Sequence, residues 1–94
     1  MENWPFDQPR NCAVFTLRQI VFDGEPILSV SHDEDDHGWQ FLGLDDAVEA
    51  DAAVVSLSEI IGLDPTVLEV ADLPPGFRAW RRAVGDQWVR IRNI

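Results

Sequence analysis

Two histidines bracket four consecutive acids in the run Ser31-His32-Asp33-Glu34-Asp35-Asp36-His37-Gly38-Trp39-Gln40-Phe41-Leu42. Imidazoles and carboxylates at this density are the groups that hold metals. Asp33, Asp35 and His37 fall at alternate positions and Gly38 follows, as at the start of a calcium loop. The pattern fails at the twelfth loop position, where Leu44 stands in place of a bidentate acid, and imidazole is a poor ligand for hard calcium. A metal-binding protein or small enzyme using His32, His37 and a neighbouring carboxylate is kept as the alternative reading, because imidazole and carboxylate suit a transition metal. The main expectation is that the chain has no metal site and needs no cofactor, and that the run is the solvated tip of a hairpin.

Other chemistries find less support. Nucleophilic catalysis needs Cys12 or a serine beside a histidine. Cys12 opens an apolar strand, which suits an inert thiol. Ser31 and His32 are adjacent on a strand and therefore point to opposite faces. No G-x-S-x-G turn is present. The acids lie in stretches that read as exposed, where carboxylates keep ordinary proton affinities and give little acid–base catalysis. The glycines are isolated and lysine is absent, so no phosphate-binding loop exists. No catalytic residue is expected, and the chain reads as not an enzyme.

The charge distribution points toward binding. The net charge is −10 over 94 residues. Residues 1–30 carry four acids and two arginines, residues 31–72 carry twelve acids and no base, and residues 73–94 carry five arginines and Asp86. Such a field repels nucleic acid and anionic membranes and attracts a basic protein surface. The rival explanation is solubility, with the arginine-rich end pairing internally with the acidic middle.

These residues must be positioned by a small fold. The length argues for one domain spanning 1–94, with an N-terminal arm over 1–10 and a globular body over 11–94. A chain of this size buries roughly 60–65% of its unfolded surface, so one core is expected. Trp4 and Phe6 can pin the arm to the body. The single cysteine excludes an internal disulfide, no apolar run spans a bilayer, and the N-terminus lacks the basic and apolar regions of a signal peptide. A cytoplasmic protein is expected.

Cys12–Phe15 reads as a strand, and Thr16-Leu17-Arg18-Gln19 matches a capping box that would open a short helix ending at Asp23-Gly24. Strands follow over 27–32 and 38–42, joined by the acidic loop, with Trp39 and Phe41 on one face. Residues 43–53 read as a loop or loose helical turn and Val54-Val55 as a brief strand. Ser56-Leu57-Ser58-Glu59 is a second capping box, with Gly62 as its stop, and Asp64-Pro65 starts another helical turn.

The last segment has two limbs around Gly85-Asp86. Val89 and Ile91 alternate with Arg90 and Arg92, so the second limb is a strand and needs a partner. Residues 77–84 also fit a helical stripe, but a hairpin is preferred. With Val89 and Ile91 facing the core, Trp88 would face outward beside Trp80 and Arg82 of the first limb, a combination rich in the residue types of binding hot spots. The competing reading has these tryptophans and arginines stacking on one another, or the tryptophans in the core. The expected fold class is α+β: a small antiparallel sheet with two or three short helices and a C-terminal β-hairpin.

The chain resembles a family of small bacterial proteins proposed to include immunity proteins of polymorphic toxin systems. The resemblance rests on Gly38-Trp39-x-Phe41 after acidic residues, on Leu57, Ile60, Asp64 and Pro65, and on Pro75-Gly76 with the late Trp88. It spans about residues 12–92, and Leu42-Gly43-Leu44 departs from the more polar stretch expected there. It implies a non-enzymatic module that binds and blocks a basic toxin domain. Asp33, Glu34, Asp35 and Asp36 would pair with the partner's cations, while Gly38, Trp39 and Phe41 hold the hairpin. A second mode of binding is a docking subunit using Trp80, Arg82 and Trp88.

Overall fold

The computed structural model describes residues 4–93. Its elements in chain order are β1 (Ala13–Leu17), α1 (Arg18–Asp23), β2 (Ser29–His32), β3 (Trp39–Leu42), a 3-10 turn (Glu49–Asp51), β4 (Ala52–Ser56), α2 (Leu57–Leu63), a second 3-10 turn (Pro65–Val70), β5 (Phe77–Trp80) and β6 (Val89–Arg92). The strands form one six-stranded sheet in the order β4-β1-β3-β2-β5-β6. The class is α+β with a C-terminal hairpin, as its sequence pattern predicts.

The sheet is mixed, which corrects the antiparallel expectation. β1 runs parallel to β3, and every other pair is antiparallel. The reason lies in the connection through α1. It carries the chain past one strand position before β2 is laid down. The β2–β3 hairpin then folds back into the gap, so β3 takes the direction of β1.

The core lies on one side of the sheet. Val14 of β1, Val30 of β2, Trp39 and Phe41 of β3 and Ala79 of β5 point to this side. They meet Ile20, Leu57, Ile60, Val67 and Val70 from the helical layer. Phe6 of the arm is also buried there, with its ring edge-on to Trp39 at 5.2 Å. On the opposite, open side of the sheet Phe15, Val54, Val89 and Ile91 stand exposed.

Local signals behave unequally. Ser56 caps α2, its hydroxyl accepting from the Glu59 N–H at 3.2 Å, and the helix passes Gly62 to end at Leu63. Asp64 caps the second 3-10 turn by accepting from the Thr66 N–H at 3.0 Å. Gly24, at φ 73°, terminates α1. The capping box at Thr16 does not form. β1 extends through Leu17, and Thr16 turns into the core, where its hydroxyl donates to the Phe41 carbonyl at 2.7 Å. A β-branched residue inside a paired strand is better placed there than at a cap, and α1 starts without a side-chain cap. Residues 77–80 are strand, and the limb stops at Trp80, so residues 81–88 form the connection.

Candidate functional site

The acidic tip is built by the β2–β3 hairpin. His32 pairs with Trp39 and Val30 with Phe41, and both aromatic rings are buried, which locks the register. The Asp33 N–H donates to the Gly38 carbonyl at 2.8 Å and closes the loop. Within it, Asp36 accepts from the Gly38 N–H at 2.8 Å. A Cβ at Gly38 would sit 2.9 Å from Asp36 Oδ1, so glycine permits this close approach. Glu34, Asp35 and Asp36 are exposed and Asp33 is half-buried. Asp33 accepts a long 3.4 Å bond from Gln40. Among the described residues no arginine forms an ion pair with any of the four.

Two of the five arginines of the C-terminal segment, Arg81 and Arg90, pair elsewhere. Arg81 is fully buried. Its Nη2 lies 2.6 Å from Asp64 Oδ2, its Nη1 donates to Thr66 Oγ1 at 2.7 Å, and Nη2 and Nε donate to the Ile27 carbonyl at 3.0 and 3.2 Å. Its guanidinium lies over the Trp88 ring, 4.1 Å from the centroid. Arg90 donates to Asp72 at 2.8 Å and to the Glu69 carbonyl at 3.0 Å. The hydrogen bond from Arg90 holds the Asp72 carboxyl below the usual carboxylate range. The acidic middle is thus ion-paired at Asp64 and Asp72, and among the described residues no arginine ion pair reaches residues 33–36.

The expected Trp–Arg patch is divided. Cross-strand neighbours share a face, and β5–β6 pairs Phe77 with Arg92 and Ala79 with Arg90. That register puts Arg90, Arg92 and Trp88 on the helical side, and it turns Val89 and Ile91 to the open side. This reverses the facing expected for the second limb. Trp80 is half-buried on the open side opposite Val89, Trp88 packs against the core on the other side, and Arg82 is exposed in the connection. The alternation in β6 carried no information about which side the helices cover.

His32 is buried and stacked on Trp39 at 4.0 Å between centroids. Its Nδ1 lies 2.7 Å from the Leu73 carbonyl, so this nitrogen carries the proton and donates. Nε2 is buried without a partner. The His37 ring centroid is 6.2 Å away, and no group of three or more His, Cys, Asp or Glu among the described residues is arranged to hold a metal ion. Ser29 and Ser31 lie on the open side, across the sheet from His32. Sequence reasoning missed Arg81 and Gln8. Gln8 accepts from the Trp39 indole at 2.9 Å and ties the arm to the hairpin. Arg81 continues the inward parity of Phe77 and Ala79, a signal the hairpin reading passed over.

No helix among the described residues is long and apolar enough to cross a membrane. No family model, curated protein or solved structure matches the chain. Function therefore rests on the residues themselves.

Proposed function

We propose that this chain is a non-enzymatic protein-binding module that presents Asp33, Glu34, Asp35 and Asp36 to a basic surface of another protein, acting as an immunity protein that blocks a toxin domain in the cytoplasm. One observation carries the reading. Four carboxylates are held together on a hairpin of fixed register, and among the described residues no arginine forms an ion pair with any of them, Arg81 and Arg90 being engaged at Asp64 and Asp72. Like charges left adjacent and unpaired favour the arrival of a cationic partner and its long-range attraction.

The test is association kinetics with the product of the adjacent gene, together with neutralisation of its toxicity. The variant Asp33→Asn, Glu34→Gln, Asp35→Asn, Asp36→Asn removes charge and keeps the Asp36 acceptor geometry. Association should slow by about tenfold or more at low salt, and its salt dependence should flatten. Unchanged kinetics and full neutralisation by the variant would refute the acidic-tip reading.

A further inference from the structure

The two edges of the sheet are treated differently. The β6 edge carries Arg90 and Arg92, and charged side chains are the usual guard against strand addition. The β4 edge, Ala52-Ala53-Val54-Val55-Ser56, has no charge and no proline. The Leu57 N–H donates to the Cys12 carbonyl at 2.9 Å and continues the β1–β4 register. Bonded pairs alternate along an antiparallel ladder, so Val55 and Ala53 direct their N–H and C=O groups to β1 and Val54 directs its own outward. Val54 finds no backbone partner there among the described residues. Its side chain is 60% exposed and stands opposite Phe15, 52% exposed, on the open side. Backbone donor, backbone acceptor and an apolar step thus coincide at one residue.

The flanks decide the occupant. Glu49 and Asp51 precede the strand, Glu59 follows it, and no base occurs between residues 31 and 72. A second copy added antiparallel about Val54 would set Glu49 of one chain against Glu59 of the other at both ends, and facing like charges oppose pairing. We infer that the β4 edge accepts an extended strand of a basic partner protein, with apolar residues over Phe15 and Val54 and Lys or Arg at its ends. This surface is separate from residues 33–36, so neutralising that tip leaves strand addition intact.

The test uses the full chain, isotope-labelled, and the synthetic peptide Arg-Val-Thr-Val-Thr-Lys, with Glu-Val-Thr-Val-Thr-Glu as the charge-reversed control. At saturating basic peptide the Val54 amide should exchange about tenfold more slowly, with the Arg90 and Arg92 amides unaffected. Val54→Pro deletes the outward donor at a position where an edge strand tolerates proline, and Val54→Lys adds an edge charge. Each should weaken peptide binding by about tenfold or more while the Val55 amide stays protected, which reports an intact β1–β4 ladder. Absence of Val54 protection, equal binding of the acidic peptide, equal binding by both variants, or a dimer that Val54→Pro converts to a monomer would each overturn the inference.

Discussion

Replacing Arg81 with methionine tests the central ion pair of the fold. Methionine fills much of the same volume but removes every donor. The Asp64 carboxylate, whose side chain is only 12% exposed, loses its counterion, and the Ile27 carbonyl loses both bonds from the guanidinium. Thr66 Oγ1 loses the donor at 2.7 Å, and the Trp88 ring loses the cation stacked on it. Removing one partner of a buried pair costs about 3–5 kcal/mol, because the other charge stays buried. A domain of this size has roughly 5–15 kcal/mol in total, so the variant should be close to unfolding at 37 °C. At about 4–8 °C per kcal/mol, Tm should fall by at least 12 °C. Urea titration followed by tryptophan fluorescence measures the change directly, since Trp88 sits on the guanidinium. The double variant Arg81→Met, Asp64→Asn removes the orphaned charge and keeps an oxygen to accept from the Thr66 N–H. It should be more stable than Arg81→Met alone, with a coupling of about 1–3 kcal/mol. A loss under about 1 kcal/mol for Arg81→Met, with additive single effects, would refute the reasoning.

Further expectations concern smaller features. Thr16→Val keeps shape and strand preference but leaves the Phe41 carbonyl without its 2.7 Å donor, so unfolding free energy should drop by about 1–3 kcal/mol in denaturant titration. Ser56→Ala removes the α2 cap and should cost about 1 kcal/mol, with the Glu59 amide losing exchange protection first. Arg90→Gln should raise the Asp72 titration midpoint toward the ordinary carboxylate range by NMR. The folded-state proton affinity of Asp72 is lowered, so the pair contributes above the ordinary carboxylate range and fades as pH falls through the lowered value. Asp72 is 77% exposed, so solvent screening keeps the accompanying change in stability small.

Legibility in the sequence followed the range of the interaction involved. The Ser56 and Asp64 caps and the Trp39–Phe41 face are set by residues within four positions of one another, and spacing alone identifies them. Thr16 carries the same local signature as Ser56 and takes a different role, because β3, distant in sequence, offers it a carbonyl. The parallel β1–β3 pair is likewise invisible locally, since it depends on where the β2–β3 hairpin inserts. In the last hairpin the pattern Val-Arg-Ile-Arg specifies a strand, but all four residues are exposed, so the alternation does not say which face turns to the helical layer. The β5–β6 register decides it and divides Trp80 from Trp88. At the acidic tip the composition was plain, and what the sequence lacked was the destination of the arginines.

That destination gives the acidic tip a separate physical meaning. Had the arginines of residues 73–94 folded onto residues 33–36, the tract would be half of an internal salt-bridge network, and neutralising it would destabilise the fold. Instead Arg81 pairs with Asp64 and Arg90 with Asp72, and among the described residues no arginine forms an ion pair with residues 33–36, so the adjacent carboxylates there repel one another in the folded state with little in return. Asp33→Asn, Glu34→Gln, Asp35→Asn, which spares the Asp36 bond to Gly38, should therefore leave the protein at least as stable, by up to about 1 kcal/mol. Thermal unfolding at low salt reads this most sharply, because added salt screens the repulsion in the native protein and narrows the gap. A clear loss of stability in the variant would mean the tip holds the fold together, and its charge would need no partner. A neutral or stabilising effect, combined with slowed association, is the signature of charge retained for binding at some cost to the fold.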